Sequence, residues 1–165
     1  MITISEAVKS DIKTIQDIVY TTWPITYGKI LSEEQLKYML DLFYSDDALT
    51  AQFDGKEQLF YLIREYESVL GFIGIEHNYQ KENKTKIHKI YILPETQGKG
   101  IGRITIDAIE KLALENNSAS LLLNVNRFNT ALHFYERIGF TIVDEVNIEI
   151  GKGYLMEDYI MEKEI

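Results

Sequence analysis

Hydrophobic positions in the first third of the chain recur mostly at helical spacing. The alternating run Ile2–Ile4 predicts a short strand, and residues 12–19 then place isoleucine and valine every three or four positions, which predicts an amphipathic helix. Trp23-Pro24 and Tyr27-Gly28 follow this pattern. Ser32 opens a second helical pattern, and Ser45-Asp46 is a suitable cap for a third, short helix. We therefore expect the chain to begin with a strand and a group of helices.

The hydrophobic period shortens from residue 59 onward, which indicates β-strands. The apolar runs 59–63 and 69–75 are separated by a short polar turn and predict a hairpin. The polar stretch 78–85 predicts a loop, and the segment 87–93 is rich in strand-forming residues up to Pro94. Because proline removes a backbone donor, the third strand of this meander is predicted to stop there.

The remainder of the chain alternates between helix and strand patterns. Apolar residues at three- and four-residue spacing predict a helix over 101–113, a buried strand follows at 121–125, and another helix is predicted over 129–138. The runs 140–150 and 154–161 flank a glycine-rich turn and predict a closing hairpin. This order of elements is typical of a mixed α/β fold, with a sheet flanked by helices.

Composition limits the classes of protein to consider. A chain of 165 residues that is 45% hydrophobic has the size of one domain, and no linker-like stretch divides it, so we expect a single domain over residues 1–165. There is no cysteine, which excludes disulfides, thiol nucleophiles and thiolate metal sites. The three histidines show no metal-ligand spacing, so no metal site is expected.

Charge and hydropathy bear on partners and location. The formal net charge of -9 argues against a nucleic-acid partner, because phosphate contacts need clustered lysine and arginine, and it favours cationic partners. The N-terminus has no secretory signal pattern, and no apolar stretch approaches the roughly 18 residues that a membrane span requires. The expectation is a cytoplasmic protein without a membrane partner.

The segment from Gln97 to Gly102 carries the first chemical signal. Its glycines alternate with other residues between a predicted strand and a predicted helix, where backbone N–H groups at the helix N-terminus bind phosphate oxygens. Lys99 and Arg103 add positive charge. The segment does not match the nucleotide-binding pattern ending in G-K-[ST], and its glycine spacing departs from the dinucleotide pattern G-x-G-x-x-G. A nicotinamide-dependent oxidoreductase is therefore the weaker alternative.

Two segments together resemble one known family. Residues 97–102 follow a strand that ends at Pro94 and read Q-x-x-G-x-G, which is similar to the acetyl-CoA signature of the GNAT N-acetyltransferase superfamily. Residues 129–140 are similar to the family segment that runs from an asparagine through a tyrosine to Gly-Phe. The resemblance covers essentially the whole chain. It implies the GNAT-like acyl-CoA N-acyltransferase fold, whose mostly antiparallel sheet has a V-shaped split, here between strands 87–93 and 121–125.

The resemblance implies acetyl-CoA as co-substrate and suggests which residues hold it. The backbone around Ile90, Tyr91 and Ile92 would hold the pantetheine arm, and Asn129 and Tyr135 would contact CoA from the second motif. The pyrophosphate would be held by the glycine segment and its flanking residue. This set consists of Gln97, Gly98, Lys99, Gly100, Ile101, Gly102 and Arg103.

Direct acetyl transfer needs a base for the amine and an acid for the departing thiolate. Tyr135 lies where the family usually places the phenol that protonates the thiolate. The family often has a glutamate base on the strand before the glycine segment, but the matching positions hold Lys86 and His88. His88 and Glu76, on the neighbouring strand, are the candidate bases. Asn124 could position a water, and a relay of waters without a single base stays open.

The acceptor would enter beside the early helices and the last hairpin. Aromatic and acidic side chains of those helices are candidates to line a site for a cationic amine, although each aromatic alone is better explained as core and each acid alone as a solvated surface residue. They are Trp23, Tyr27, Tyr38, Tyr44, Glu33, Glu34, Asp41, Asp46 and Asp47. Residues 20–44 and 153–161 are similar to bacterial spermidine/spermine acetyltransferases of the superfamily.

A polyamine or other small cationic amine is therefore the first choice of acceptor. The alternatives are a protein N-terminal or lysine amine, and a CoA-binding regulatory module without catalysis. Many members of the superfamily are dimers, which leaves a homodimer open.

Overall fold

Five α-helices and seven β-strands make up the fold in a computed structural model that describes residues 1–165. The helices are α1 (Ile12–Tyr27), α2 (Glu33–Tyr44), α3 (Asp46–Gly55), α4 (Ile101–Glu115) and α5 (Ala131–Arg137). The strands are β1 (Ile2–Glu6), β2 (Leu59–Glu65), β3 (Ser68–Glu76), β4 (Lys84–Ile92), β5 (Ser120–Asn126), β6 (Thr141–Glu149) and β7 (Leu155–Glu164). Every predicted element is present.

The strands form one hydrogen-bonded sheet in the order β1-β2-β3-β4-β5-β7-β6. The pairs β1–β2, β2–β3, β5–β7 and β6–β7 are antiparallel, whereas β4 and β5 are parallel. The β4–β5 pairing runs from Lys84↔Ser120 to Ile87↔Leu123, although β4 continues to Ile92 and β5 to Asn126. The prediction of a mixed α/β, mostly antiparallel fold is confirmed.

The chain divides into two compact units, each with its own buried residues. The first comprises Met1–Glu76 and His88–Ile109, and the second comprises His77–Ile87 and Glu110–Ile165. Fully buried aliphatic and aromatic side chains fill both units, because burial of apolar surface is the main favourable contribution to folding. In the first unit they include Ile15, Val19, Leu49, Phe72 and Ile73, and in the second Leu121, Leu123, Phe140 and Met161. A single domain over the whole chain stays a prediction.

Helix α1 differs from its prediction by continuing through Pro24 to Tyr27. Proline cannot donate the helical hydrogen bond, which usually ends or kinks a helix. Here Trp23 is 4% exposed and its ring packs edge-on against Tyr44 of α2, with ring centroids 5.4 Å apart. The Gly28 N–H donates to the Pro24 carbonyl at 3.0 Å and closes the last turn. Tertiary packing therefore outweighs the local cost of proline.

Three other boundaries also differ. Strand β4 begins at Lys84, inside the stretch predicted as a loop, because this part of the strand pairs with β5. Helix α5 begins at Ala131, since the Asn129 side chain accepts a hydrogen bond from the Ala131 N–H at 2.9 Å and caps the helix from outside. Ser45 caps α3 as predicted, by accepting from the Ala48 N–H at 3.2 Å, but α3 has 10 residues and is not short.

Candidate active site

The glycine segment has the geometry of an anion-binding turn before α4. Gly98 and Gly100 adopt φ angles of +84° and +74°, which side chains with a Cβ rarely adopt. A Cβ on either glycine would meet no atom within 4 Å, so open space surrounds this backbone. The Ile104 N–H makes the first helical hydrogen bond, to Gly100, and the N–H groups before it point out of the helix N-terminus. This arrangement suits phosphate oxygens.

The positive charges beside this turn face solvent. Lys99 and Arg103 are both exposed, as are Gln97, Gly98 and Gly100, whereas Ile101 is buried and anchors the start of α4. Exposed cations next to backbone donors can add charge-assisted hydrogen bonds to a phosphate group. The segment and the last residues of β4 lie in the first unit.

The end of β4 is held against β3 by unusually close backbone contact. The Leu93 N–H donates to the Leu70 carbonyl at 2.8 Å. A Cβ at Gly71 would lie 2.3 Å from the Tyr91 carbonyl oxygen, so only glycine allows this approach. Ile90, Tyr91 and Ile92 are half-buried here. The Tyr91 hydroxyl lies 3.3 Å from the Tyr27 hydroxyl of α1, which ties this part of β4 to the helices.

The two candidate bases lie in direct contact. The His88 Nε2 and the Glu76 Oε1 are 2.8 Å apart, and both side chains are about a quarter exposed, at 23% and 24%. A carboxylate can only accept, so Nε2 carries the hydrogen and, in the neutral ring, Nδ1 carries the lone pair. This pair combines a proton acceptor with a group that fixes its tautomer and stabilises its protonated form. The sequence suggested both residues but not their contact.

The second motif lies in the second unit, on and before α5. Tyr135 is 8% exposed, and its ring packs edge-on against Phe134 and Phe140, with centroids 5.3 Å and 5.7 Å apart. This packing fixes the phenol ring on its helix. Asn129 uses its side-chain oxygen to cap α5, which leaves its NH₂ group available as a donor.

Two lysines of β4 are buried, which the sequence pattern did not predict. Lys86 is 6% exposed, and its Nζ hydrogen-bonds the Asn124 Oδ1. Lys89 is 8% exposed, and its Nζ donates to the side-chain oxygens of Gln52 at 2.6 Å and Gln58 at 2.7 Å. Burial lowers the pKa of Lys89 to about 7, since the charged form loses hydration. Only a structure could reveal which acceptors lie around each ammonium group.

The aromatic residues considered for the acceptor site divide into two groups. Trp23 and Tyr44 are 4% and 2% exposed, with ring centroids 5.4 Å apart, so both belong to the core and the prediction that they line the acceptor site is wrong. Burial is also the main reason that the pKa of Tyr44 is raised well above its ordinary value. Tyr27 and Tyr38 are half-buried.

The acidic residues of this region lie at the surface. Glu33 and Glu34 are in the first turn of α2, Asp41 is further along it, and Asp46 and Asp47 begin α3, and all five are exposed. They give α2 and α3 a negatively charged surface.

The structure contains no group of three or more histidine, aspartate or glutamate side chains arranged to hold a metal ion. None of its helices combines the length and the apolar character needed to cross a membrane.

Comparison with known families matches residues 29–162 to a model described as an acetyltransferase (GNAT) domain. An uncharacterised N-acetyltransferase of Bacillus subtilis, YuaI, is 28% identical over 159 residues, which is 95% of this chain and 90% of that protein. A spermidine N(1)-acetyltransferase of Thermoplasma acidophilum is 26% identical over 158 residues, which is 93% of this chain and 91% of that protein.

Among solved structures, the PaiA N-acetyltransferase of Thermoplasma acidophilum in complex with coenzyme A superposes with a TM-score of 0.81 at 26% identity, covering 100% of this chain and 99% of that one. The family match includes both of the motifs that carried the resemblance. The chain belongs to the GNAT acetyltransferase family and is an acetyl-CoA-dependent N-acetyltransferase.

Proposed function

We propose that this enzyme acetylates a primary amine of a small cationic molecule such as a polyamine, with His88 as the base. The observation that carries the mechanism is the 2.8 Å hydrogen bond between His88 and Glu76. Histidine is the side chain that changes protonation between pH 5 and 8, so it can take a proton at neutral pH and return it to solvent.

Acetyl-CoA supplies the acetyl thioester, and the residues of the glycine segment fit its phosphates. The open backbone at Gly98 and Gly100, the N–H groups that begin α4, and the cations Lys99 and Arg103 are the proposed pyrophosphate site. The backbone of Ile90, Tyr91 and Ile92 and the free NH₂ group of Asn129 are proposed to hold the rest of the co-substrate. A relative that superposes on the whole chain is itself a coenzyme A complex, which supports this assignment.

The residues of this chain divide the proton transfers between them. As the amine nitrogen bonds to the acetyl carbon and the carbon–sulfur bond breaks, the proton of the amine passes to the His88 Nδ1. Glu76 stabilises the resulting imidazolium through its hydrogen bond to Nε2. Tyr135 gives its phenolic proton to the departing thiolate and recovers one from solvent afterwards, so no covalent enzyme intermediate is required.

The choice of a cationic acceptor depends on charge and on one relative. The net charge of -9 favours positively charged small molecules, and the exposed acids of α2 and α3 concentrate negative charge on the helices beside which the acceptor is expected to enter. The relative from Thermoplasma acidophilum that acts on spermidine is similar over 93% of this chain. A cytoplasmic location and a homodimer stay predictions.

The acceptor is tested by measuring CoA release and acetylated product with a panel of amines. The panel comprises spermidine, spermine, a basic peptide with a free N-terminus, and an uncharged primary amine. We expect the highest kcat/KM with a polyamine and the acetylated polyamine in the mass spectrum. Activity with the peptide alone would establish a protein acetyltransferase instead, and no turnover with any amine would favour a CoA-binding module.

A further inference from the structure

Three side chains connect β4, β5 and β7 next to the last backbone pair between β4 and β5. The Lys86 Nζ on β4 hydrogen-bonds the Asn124 Oδ1 on β5, and the Asn124 Nδ2 donates to the Asp158 Oδ2 on β7 at 3.4 Å. The last β4–β5 backbone pair is Ile87↔Leu123, and Asn124 is the next residue of β5. We name Lys86, Asn124 and Asp158 the β4–β5–β7 bridge.

The two charged members of the bridge are nearly inaccessible to water. Lys86 is 6% exposed and Asp158 is 4% exposed, and the Asn124 amide makes a hydrogen bond with each of them. Burial raises the pKa of Asp158, while the hydrogen bond from Asn124 and the charges of Lys86 and Arg127 lower it. The Lys86 ammonium also lies 5.2 Å from the centre of the Tyr79 ring, a favourable contact for a cation.

The charges at its two ends give the Asn124 amide only one favourable orientation. Its oxygen must face the ammonium of Lys86 and its NH₂ group must face the carboxylate of Asp158, since the flipped amide would set like partial charges against both ends. The Asn124 side chain is therefore fixed between two strands. A buried charge pair adds little to stability compared with apolar side chains of the same size, so stability alone does not account for it.

His88 follows Lys86 by two residues on β4, on the same face of the strand because side chains alternate. We propose that the β4–β5–β7 bridge positions β4 for acetyl transfer, so that Lys86, Asn124 and Asp158 are positioning residues acting through His88. This inference rests on the base role of His88 in the proposed function. It also gives a reason for a lysine where the family often carries a glutamate: the base lies two residues further along, and Lys86 holds the strand.

The first test compares kcat and the KM for acetyl-CoA in single variants, with the best acceptor of the amine panel. Lys86→Met removes the ammonium end of the bridge. Asp158→Asn removes the charge at the other end, although its amide oxygen can still accept from Asn124, so that the direction of the Asn124 amide is no longer fixed. A small displacement of a reacting group can cost up to about 10²-fold in rate. We expect kcat to fall about tenfold or more, with the KM for acetyl-CoA within about threefold of the wild type. Lys86→Arg keeps the charge and should recover most of the rate.

Lys84→Met is the matched control, because Lys84 lies on the same strand but pairs at the surface with Glu82 and Glu162. It should leave kcat unchanged. Circular dichroism and thermal midpoints identify variants that fail to fold, and Asp158→Asn, which has the same shape as the wild-type side chain, keeps the test decisive if Lys86→Met does not fold.

The second test combines Lys86→Met with His88→Gln. If the bridge acts through His88, the double variant is no slower than His88→Gln alone. The rate losses of two substitutions do not add when one residue acts only through the other. A double variant whose losses multiply would overturn the proposal, as would wild-type kcat in both Lys86→Met and Asp158→Asn. If both of these single variants keep the wild-type kcat and His88→Gln is slow, the bridge proposal is overturned and the base role of His88 stays intact. If the His88→Gln single variant has wild-type activity, the base role itself is refuted.

Discussion

At the scale of single residues, the proposed proton transfer depends on the contact between His88 and the Glu76 carboxylate. His88 contacts Glu76 at 2.8 Å, and removal of a general base commonly costs about 10²- to 10⁴-fold in rate. We therefore expect His88→Gln to lower kcat by about 10²-fold or more, and Glu76→Gln to lower it less, because glutamine can keep the hydrogen bond but not the charge. Steady-state kinetics at neutral pH measures both, and equal losses in kcat and kcat/KM are expected.

The pH dependence gives an independent check of the same residue. A general base acts only in its unprotonated form, so the rate of the wild type should fall on the acid side, and this acid limb should disappear in His88→Gln. An unchanged acid limb in that variant would assign the titrating group to another residue.

Tyr135 is the residue proposed to protonate the thiolate. Tyr135→Phe removes only the hydroxyl and keeps the ring that packs between Phe134 and Phe140, so the fold should be retained. We expect kcat to fall about 10²-fold, with the affinity for acetyl-CoA nearly unchanged. Tyr20→Phe is the control, since Tyr20 is 48% exposed on α1, and it should keep the wild-type rate.

The resemblance to the family, together with strand alternation, was enough to propose His88, Glu76 and Tyr135 from the sequence. They were not enough to find the bridge, because nothing in the pattern shows that Lys86 is buried or that Asp158 lies two strands away from it. Contacts between side chains distant in sequence depend on sheet order, which the sequence left undetermined. The prediction that Trp23 and Tyr44 line the acceptor site was wrong because both are buried in the core. The sequence pattern does not distinguish an aromatic side chain of the core from one of a binding site.

At the scale of elements, the turn before α4 depends on glycine at defined positions. Gly100 has a φ of +74°, so Gly100→Ala would strain the backbone and alter the direction of the N–H groups around it. We expect the KM for acetyl-CoA to rise about tenfold, and the strain to lower the thermal midpoint by about 2–4 °C without unfolding the protein. Gly55→Ala in α3 is the control, since no positive φ and no close atom stand in its way. An unchanged KM in Gly100→Ala would remove the turn from the acetyl-CoA site.

The elements themselves were predictable, and their boundaries were less so. Periodicity located the seven strands and the helices, yet it placed the start of β4 at residue 87 although the strand begins at Lys84. It also gave no sign that α1 would continue through Pro24. In both cases contacts with other elements outweigh the local preference: β4 pairs with β5, and Trp23 packs against Tyr44 of α2.

At the scale of the whole molecule, buried Lys89 makes stability depend on pH. The pKa of Lys89 in the folded protein is about 7, below the ordinary value of 10.5, so between these values the unfolded chain binds a proton that the folded chain has released. The free energy of unfolding therefore gains a contribution that rises with pH across this window, by up to about 1.4 kcal/mol per pH unit, and that is lost as the pH falls to 7.

Denaturant unfolding of the wild type and Lys89→Met between pH 7 and pH 10 measures this contribution. The difference in unfolding free energy between the two proteins should change with pH in the predicted direction, with the wild type gaining relative to the variant as the pH rises. Lys37→Met, at an exposed position without an ion pair, should show a constant difference. A constant difference for Lys89→Met as well would mean that Lys89 stays charged in the folded protein.

The two motifs and the order of elements predicted the family, because Gln97–Gly102 and residues 129–140 are both local in sequence. The acceptor is less predictable, since the acidic side chains proposed to attract it lie on separate elements. Two local segments were therefore enough to predict the family. The substrate depends on side chains that are far apart in the sequence.

The central claim is acetyl transfer to a cationic amine with His88 as the base. The most direct measurement is the rate of CoA release from acetyl-CoA with spermidine present and absent, in the wild type and in His88→Gln side by side. We predict release that depends on spermidine in the wild type, with acetylspermidine as product, and a loss of about 10²-fold or more in His88→Gln. CoA release that does not depend on spermidine would contradict acetyl transfer to this amine. Equal rates in the wild type and His88→Gln would contradict the base role of His88.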